Sequence, residues 1–167
     1  EGETEEAAKT LTEIFAEASD GEILTLEQDV TVNGTTDADY KNSGTVTLDL
    51  NKHTITGKNN NIALRANAGN GTLKLTNGKI VADQGTYCTV GVSNSTLELS
   101  DMEFENVKGN GCSIKAFDGG IINLHGVQST SQYGGGVTAA GGTVNVYDST
   151  FTQKDYYDWN SVNLSAS

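Results

Sequence analysis

The chain has 167 residues, enough for one domain with a sizeable core, whereas two domains would leave both halves small. Lys plus Arg total 10 against 22 Asp plus Glu, and the net charge of -12 repels phosphate backbones and anionic lipid. Nucleic acid and membrane-surface partners are therefore not expected, and no apolar run approaches the roughly 20 residues of a membrane helix. Gly is high at 20 residues, Pro is absent and aromatic residues make up 7%, a profile of many short strands joined by tight turns.

In chain order, residues 1–20 come first. Ala7, Leu11, Ile14, Phe15 and Ala18 recur at helical spacing, Glu3, Glu5 and Glu6 would favour the helix dipole, and Gly21 is placed to end the helix. From residue 21 onward the pattern changes to a phrase that returns: "LDLNKHTITG" from Leu48, "LKLTNGKIVA" from Leu73, "LELSDMEFEN" from Leu97, "INLHGVQSTS" from Ile122 and "VNVYDSTFTQ" from Val144. Markers at Leu26, Leu50, Leu75, Leu99, Leu124 and Val146 recur about every 24 residues, a period that signals a solenoid. Each unit holds short alternating runs. In the second, the inward set reads Val46, Leu48 and Leu50, then Ile55, then Ile62, Leu64 and Ala66, giving three strands per turn.

Wound as a coil, each strand pairs in parallel with its counterpart one turn later, about 4.8 Å away. The expected stacks are Ile55, Ile80, Phe104, Ser129 and Phe151 in the second strand and Leu64, Val90, Ile114 and Val137 in the third. Cys88 and Cys112 fall at one inward position of neighbouring coils. Parallel in-register side chains do not give a disulfide torsion without distortion, so buried, reduced thiols are expected. Asn-Gly pairs at 33, 70, 77 and 110 mark bends. The N-terminal helix is expected to lie across the open apolar end of the stack. The domain then comprises this capping segment, residues 1–20, and the coils, residues 21–167.

A helical cap followed by "GEILTLEQDVTV", "LDLNKHTITG" and its repeats resembles the right-handed parallel β-helix of the pectate-lyase-like superfamily, and more narrowly the β-helix repeat domains of large secreted or wall-attached bacterial proteins. The resemblance covers residues 4–167 and implies about six coils with an N-terminal capping helix. It describes inward stacking and is not specific for activity. The chain opens on Glu1 rather than Met and closes inside "NSVNLSAS", which reads as a strand. A secreted or cell-surface location and a longer parent chain are therefore the expectation.

The resemblance also implies enzymes that cleave acidic polysaccharides. The lyases among them use an arginine base beside carboxylates that hold calcium. The single arginine, Arg65, alternates with inward Leu64 and Ala66 and reads as a solvated residue with no carboxylate trio beside it. Thr25, Asp49, Lys74, Glu98, Asn123 and Asn145 read as an outward row of alternating charge, a ladder that neutralises itself. The best carboxylate set is "DMEFEN". Glu103 and Glu105 point outward on one strand about 6.7 Å apart, within the range of an acid and base in inverting glycoside hydrolysis. Lys79, one coil below, would pair with Glu103 and spoil a general acid. The favoured reading is an ordinary polar face, with catalysis by Glu103 and Glu105 and a calcium site with Asp101 as alternatives. No other cofactor is expected. His53 reads as a hydrogen-bonded corner residue, and His125 as an exposed corner residue for which the sequence offers no partner.

One stretch is not required by the coil. "KDYYDWN" gathers Tyr156, Tyr157 and Trp159 beside Asp155 and Asp158, with Tyr133 in the corresponding region of the coil before. Aromatic faces beside carboxylates suit sugar rings or a protein partner. They equally suit a cover for the lower end of the stack, and both readings stand. The function expected from the whole is a non-catalytic adhesin or spacer module that binds glycan or a host or cell-surface protein. The alternative is a polysaccharide lyase or glycoside hydrolase.

Overall fold

The computed structural model describes residues 9–58, 62–67, 69–83, 88–107, 113–132, 136–155 and 162–165. After a helix, α1 (Leu11–Glu17), the regular structure is strand apart from one 3-10 turn, and every paired strand is parallel to its neighbours among the described residues. The first rung holds β1 (Ile23–Thr25), β2 (Val30–Val32), a 3-10 turn at Thr35–Ala38 and β3 (Asp39–Tyr40). The second holds β4 (Thr45–Asp49), β5 (Thr54–Gly57) and β6 (Ile62–Asn67). In the next two rungs the first two strands run on as one bent strand, giving β7 (Thr72–Ala82) with β8 (Cys88–Ser93), then β9 (Thr96–Asn106) with β10 (Ile114–Phe117). The fifth holds β11 (Ile121–His125), β12 (Gln128–Ser131) and β13 (Val137–Ala140), and the sixth β14 (Thr143–Tyr147), β15 (Thr150–Gln153) and β16 (Val162–Ser165). One sheet follows β1-β4-β7-β9-β11-β14 and also takes in the second strands of each rung. The other follows β3-β6-β8-β10-β13-β16. The result is a parallel β-solenoid of about five turns, fewer than the six coils expected, because six rungs enclose only five complete windings.

Two columns of backbone bends recur at equivalent places on successive rungs, while the longer corner of the second rung bends through Asn51 and Lys52. Asn77, Asp101, Gly126 and Asp148 form one column with positive φ, and Asn70, Asn94, Asp118, Gly119 and Gly141 form the other. Gly enters this left-handed region freely, and Asn and Asp at lower cost than other side chains, which explains the Asn/Asp/Gly punctuation of the repeat. Two of the Asn-Gly pairs, at Asn70 and Asn77, adopt this geometry.

The second-strand stack runs Val30, Ile55, Ile80, Phe104, Ser129 and Phe151, and the third-strand stack Leu64, Val90, Ile114 and Val137, as the repeat predicts. The first strand departs from expectation. Leu75 lies between Leu48 and Leu99, and Leu24, not Leu26, pairs with Leu48. The first two rungs carry a longer corner between their first and second strands, and Leu26 and Leu50 fill that corner from inside. The outward row is correspondingly Ile23, Thr47, Lys74, Glu98, Asn123 and Asn145, while Asp49 stands beside Thr76. The lower part of this row is an amide ladder rather than a charge ladder. Asn145 donates to Asn123 at 2.8 Å and Asn123 to Glu98 at 3.1 Å.

The helix is shorter than residues 1–20 imply. Thr10 caps it in a reciprocal box with Glu13, and Ala18 closes it, so its first-turn carboxylate is Glu13 and Gly21 serves a later turn with φ 80°. Residues 3–7 lie outside the described residues. Leu11 and Phe15 are buried in the main core, and Phe15 meets the Tyr40 ring edge-on at 5.6 Å. Asn42 Nδ2 donates to the Phe15 carbonyl at 2.6 Å, a second donor beside the Ala18 amide at the helix end. Cys88 is buried, but with Ile62 and Phe117 in a small cluster separate from the main core. A Cβ on Gly91 would meet Ile62 and Phe117, which places that cluster on the outer face of the sheet rather than in the inward stack expected for the cysteines. Cys112 lies outside the described residues.

Candidate functional site

The carboxylate pair sits on the outer face of β9. Glu103 is exposed beside Lys79 in the register, but Lys79 reaches past it. Its Nζ lies 2.8 Å from Glu105, and Lys154 approaches the other oxygen of the same carboxylate at 3.4 Å. The expected Lys79–Glu103 pair is thus a diagonal Lys79–Glu105 pair, which a long lysine side chain makes readily. Glu105 is held below the ordinary carboxylate range, first by the hydrogen bond from Lys79 and then by its charge, with Lys154 adding to both. A depression of about 150 Å³ lies here, lined by Glu103, Gln128, Thr130 and the Glu105–lysine cluster. Asp101, offered with them as a calcium ligand, turns its backbone through φ 53° at the corner. Among the described residues no group of three or more His, Cys, Asp and Glu side chains could hold a metal ion.

Arg65 is not an isolated solvated residue. Its guanidinium donates to both carboxylate oxygens of Asp39, at 3.1 and 2.7 Å, and Lys41 approaches the same carboxylate at 3.1 Å. The Asp39 side chain is fully buried, whereas the two cations are partly exposed. The hydrogen bonds from Arg65 to Asp39 push the guanidinium further up, above even its ordinary value. Asp39 also ties in the helix, because its backbone N–H donates to Thr12 Oγ1 at 2.7 Å and that hydroxyl donates to the Thr36 carbonyl. Residue 39 thus meets the helix through its backbone and the second rung through its carboxylate.

The histidines serve the corners. His53 Nδ1 lies 3.3 Å from Asp29, whose carboxylate also accepts from the Thr54 amide at 2.8 Å. The Thr54 amide is the main reason Asp29 lies below its ordinary range. His125, for which the sequence offered no partner, stacks on Tyr147 with ring centroids 4.7 Å apart and planes within 9°. Of the aromatic edge, Asp155 is described. It is exposed and its carboxylate accepts from Gln132 Nε2. Tyr133, Tyr156, Tyr157, Asp158 and Trp159 lie outside the described residues.

The structure thus brings Glu103, Glu105, Lys79 and Lys154 together, with Asp155 next in sequence to Lys154, and puts Arg65 at the opposite end of the solenoid with Asp39. Repeat arithmetic alone would have found the His125–Tyr147 stack, since the two are as far apart as the paired Leu124 and Val146. Nothing in the apolar pattern marks Asp39. Compared with known proteins, the chain matches no family model, no curated protein and no solved structure. No helix among the described residues is long and apolar enough to cross a membrane.

Proposed function

We propose that this chain is a non-catalytic, rigid β-solenoid module of a secreted or cell-surface bacterial protein, related to the pectate-lyase-like β-helices, which acts as a spacer and binds a glycan or protein. The observation that carries this reading is the state of the two groups that either polysaccharide-cleaving chemistry would need. A glycosidase general acid needs a carboxyl group raised towards neutrality, and Glu105 is lowered by two lysines. A lyase base needs an arginine that gives up its proton, and Arg65 is raised by its bidentate grip on Asp39. Both charges are committed to joining one rung to another, which suits a rod and leaves little for proton transfer.

The test pairs two measurements on the same protein. Acidic polysaccharides incubated with it should yield neither new reducing ends nor unsaturated products, while a glycan array or surface-protein panel should return a saturable ligand. Cleavage abolished by Glu103→Gln with Glu105→Gln would establish the enzyme reading instead. The proposed glycan edge comprises Tyr133, Asp155, Tyr156, Tyr157, Asp158 and Trp159. If it is the site, Trp159→Ala should weaken binding by about 1–3 kcal/mol at unchanged melting temperature.

A further inference from the structure

We infer that the first rung carries a docking groove for an extended, basic segment of a partner protein, which adds to β2 as an outer strand. Helix α1 packs on β3 and the 3-10 turn, so it covers one side of the first rung and leaves the other open. Between the helix and the β1–β2 corner lies a groove of about 760 Å³. Its floor is apolar, formed by Leu11, Ile14, Leu26 and Val30. Ile14 and Val30 are only partly buried, so they retain surface to offer an incoming side chain.

The wall of this groove is a strand edge. Among the described residues β2 pairs with β5 alone. In a parallel ladder alternate residues serve one neighbour, and the Val32 carbonyl accepts from Lys58 at 2.8 Å. Val30 and Val32 thus face β5, and exposed Thr31 between them directs its N–H and C=O to the open side. An unpaired donor and acceptor beside an apolar floor are what strand addition uses, main-chain hydrogen bonds supplying affinity and the floor supplying side-chain specificity.

Charge selects the occupant. Glu27, Asp29 and Asp37 stand along the groove. Asp37 accepts from the Asn33 and Gly34 amides, and Asp29 from the Thr54 amide. These amides are neutral donors and leave the carboxylate charge in place, Asp29 lying also 3.3 Å from His53 Nδ1. Lys9, the one cation lining the groove among the described residues, is engaged with Glu17 at 2.7 Å. An incoming strand that alternates apolar residues with Lys or Arg meets both floor and rim. A second copy of this chain, with its net charge of -12, meets repulsion at the same rim.

This deepens the reading of the chain as a binding module, yet the two fail separately. Polysaccharide cleavage would overturn that reading without touching the groove, and loss of peptide binding would leave it standing. The experiment uses the full chain and a fluorescent, end-blocked peptide of alternating Lys and Val, read by anisotropy and by hydrogen exchange. Saturable binding is expected, with slowed exchange at Thr31, and Glu27→Lys should weaken it by about fivefold. A peptide N-methylated at every amide keeps its charge but has no N–H with which to pair with a strand edge, and it should not bind. Equal binding of the methylated peptide, or protection confined to regions away from β2, would overturn the proposal. So would preference for a Glu-Val peptide, or self-association by sedimentation that the Lys-Val peptide does not disturb.

Discussion

The two ends of the solenoid solve the same problem to different degrees. At the N-terminal end the apolar layer is sealed where the helix lies over β3: Phe15 is completely buried against Tyr40, Leu11 is buried beside it, and the Asp39–Arg65–Lys41 cluster pins the strand beneath, while the β2 side keeps its groove. At the other end Val144 and Phe151 are only partly buried, Val146 is 43% exposed and Tyr147 51% exposed. Stacking propagates order along the axis, because each rung is covered by the next. A terminal rung has no such neighbour and needs something of a different kind. The helix is that element at one end, and among the described residues β14 has no equivalent.

The largest expected effect tests this contrast directly. Phe15→Ala should lower unfolding free energy by about 3–5 kcal/mol, since it opens a cavity under the cap. Val146→Ala, at an inward position in the same sheet, should cost less than about 1 kcal/mol because much of its surface is already wet. Equal losses in denaturant titrations would mean that the two ends are equally sealed. Next in size is Asp39→Asn, which leaves Arg65 and Lys41 facing a neutral group while keeping the backbone bond to Thr12. A loss of about 2 kcal/mol is expected, smaller than for a wholly buried pair because both cations reach water.

A stabilising change should lie towards the open end. Ser129 points inward between Phe104 and Phe151, and its buried hydroxyl has no hydrogen-bond partner among the described residues. Ser129→Ala removes an unsatisfied polar group and should raise stability by about 1 kcal/mol, read as a higher denaturation midpoint. A fall would mean that the hydroxyl finds a partner, such as a trapped water.

How much of this was legible in the sequence follows from what alternation can encode. A run such as Val46, Leu48 and Leu50 identifies the face that points inward, but a slip of two residues keeps the same face. The pattern could therefore not distinguish Leu48 from Leu50 as the neighbour of Leu75. From the third rung onward the first-strand stacking was readable, because the corners there are of equal length. The polar contacts were not. Asp39 lies in a two-residue strand without periodicity, and its pairing with Arg65 depends on a register set by other residues. Likewise Lys79 stands opposite Glu103 by register but bonds Glu105, a choice made by side-chain length rather than by position.

That last contact gives the smallest and most pH-specific prediction. The Glu105 carboxyl is below its ordinary value of 4.5 in the folded chain, so the unfolded state takes up protons first as pH falls. Its contribution to stability is therefore fully present above the unfolded value and is lost as pH drops through the lower folded value. Lys79→Met removes the principal donor while keeping the aliphatic stem. Because both partners reach solvent, the loss at neutral pH should stay below about 1 kcal/mol. The distinguishing feature is its pH dependence. Thermal melts of wild type and variant should differ at neutral pH and converge in acid once Glu105 is protonated in both. A gap that persists undiminished in acid would mean that Lys79 acts by packing its stem, and the ion pair would then have no part in joining these rungs.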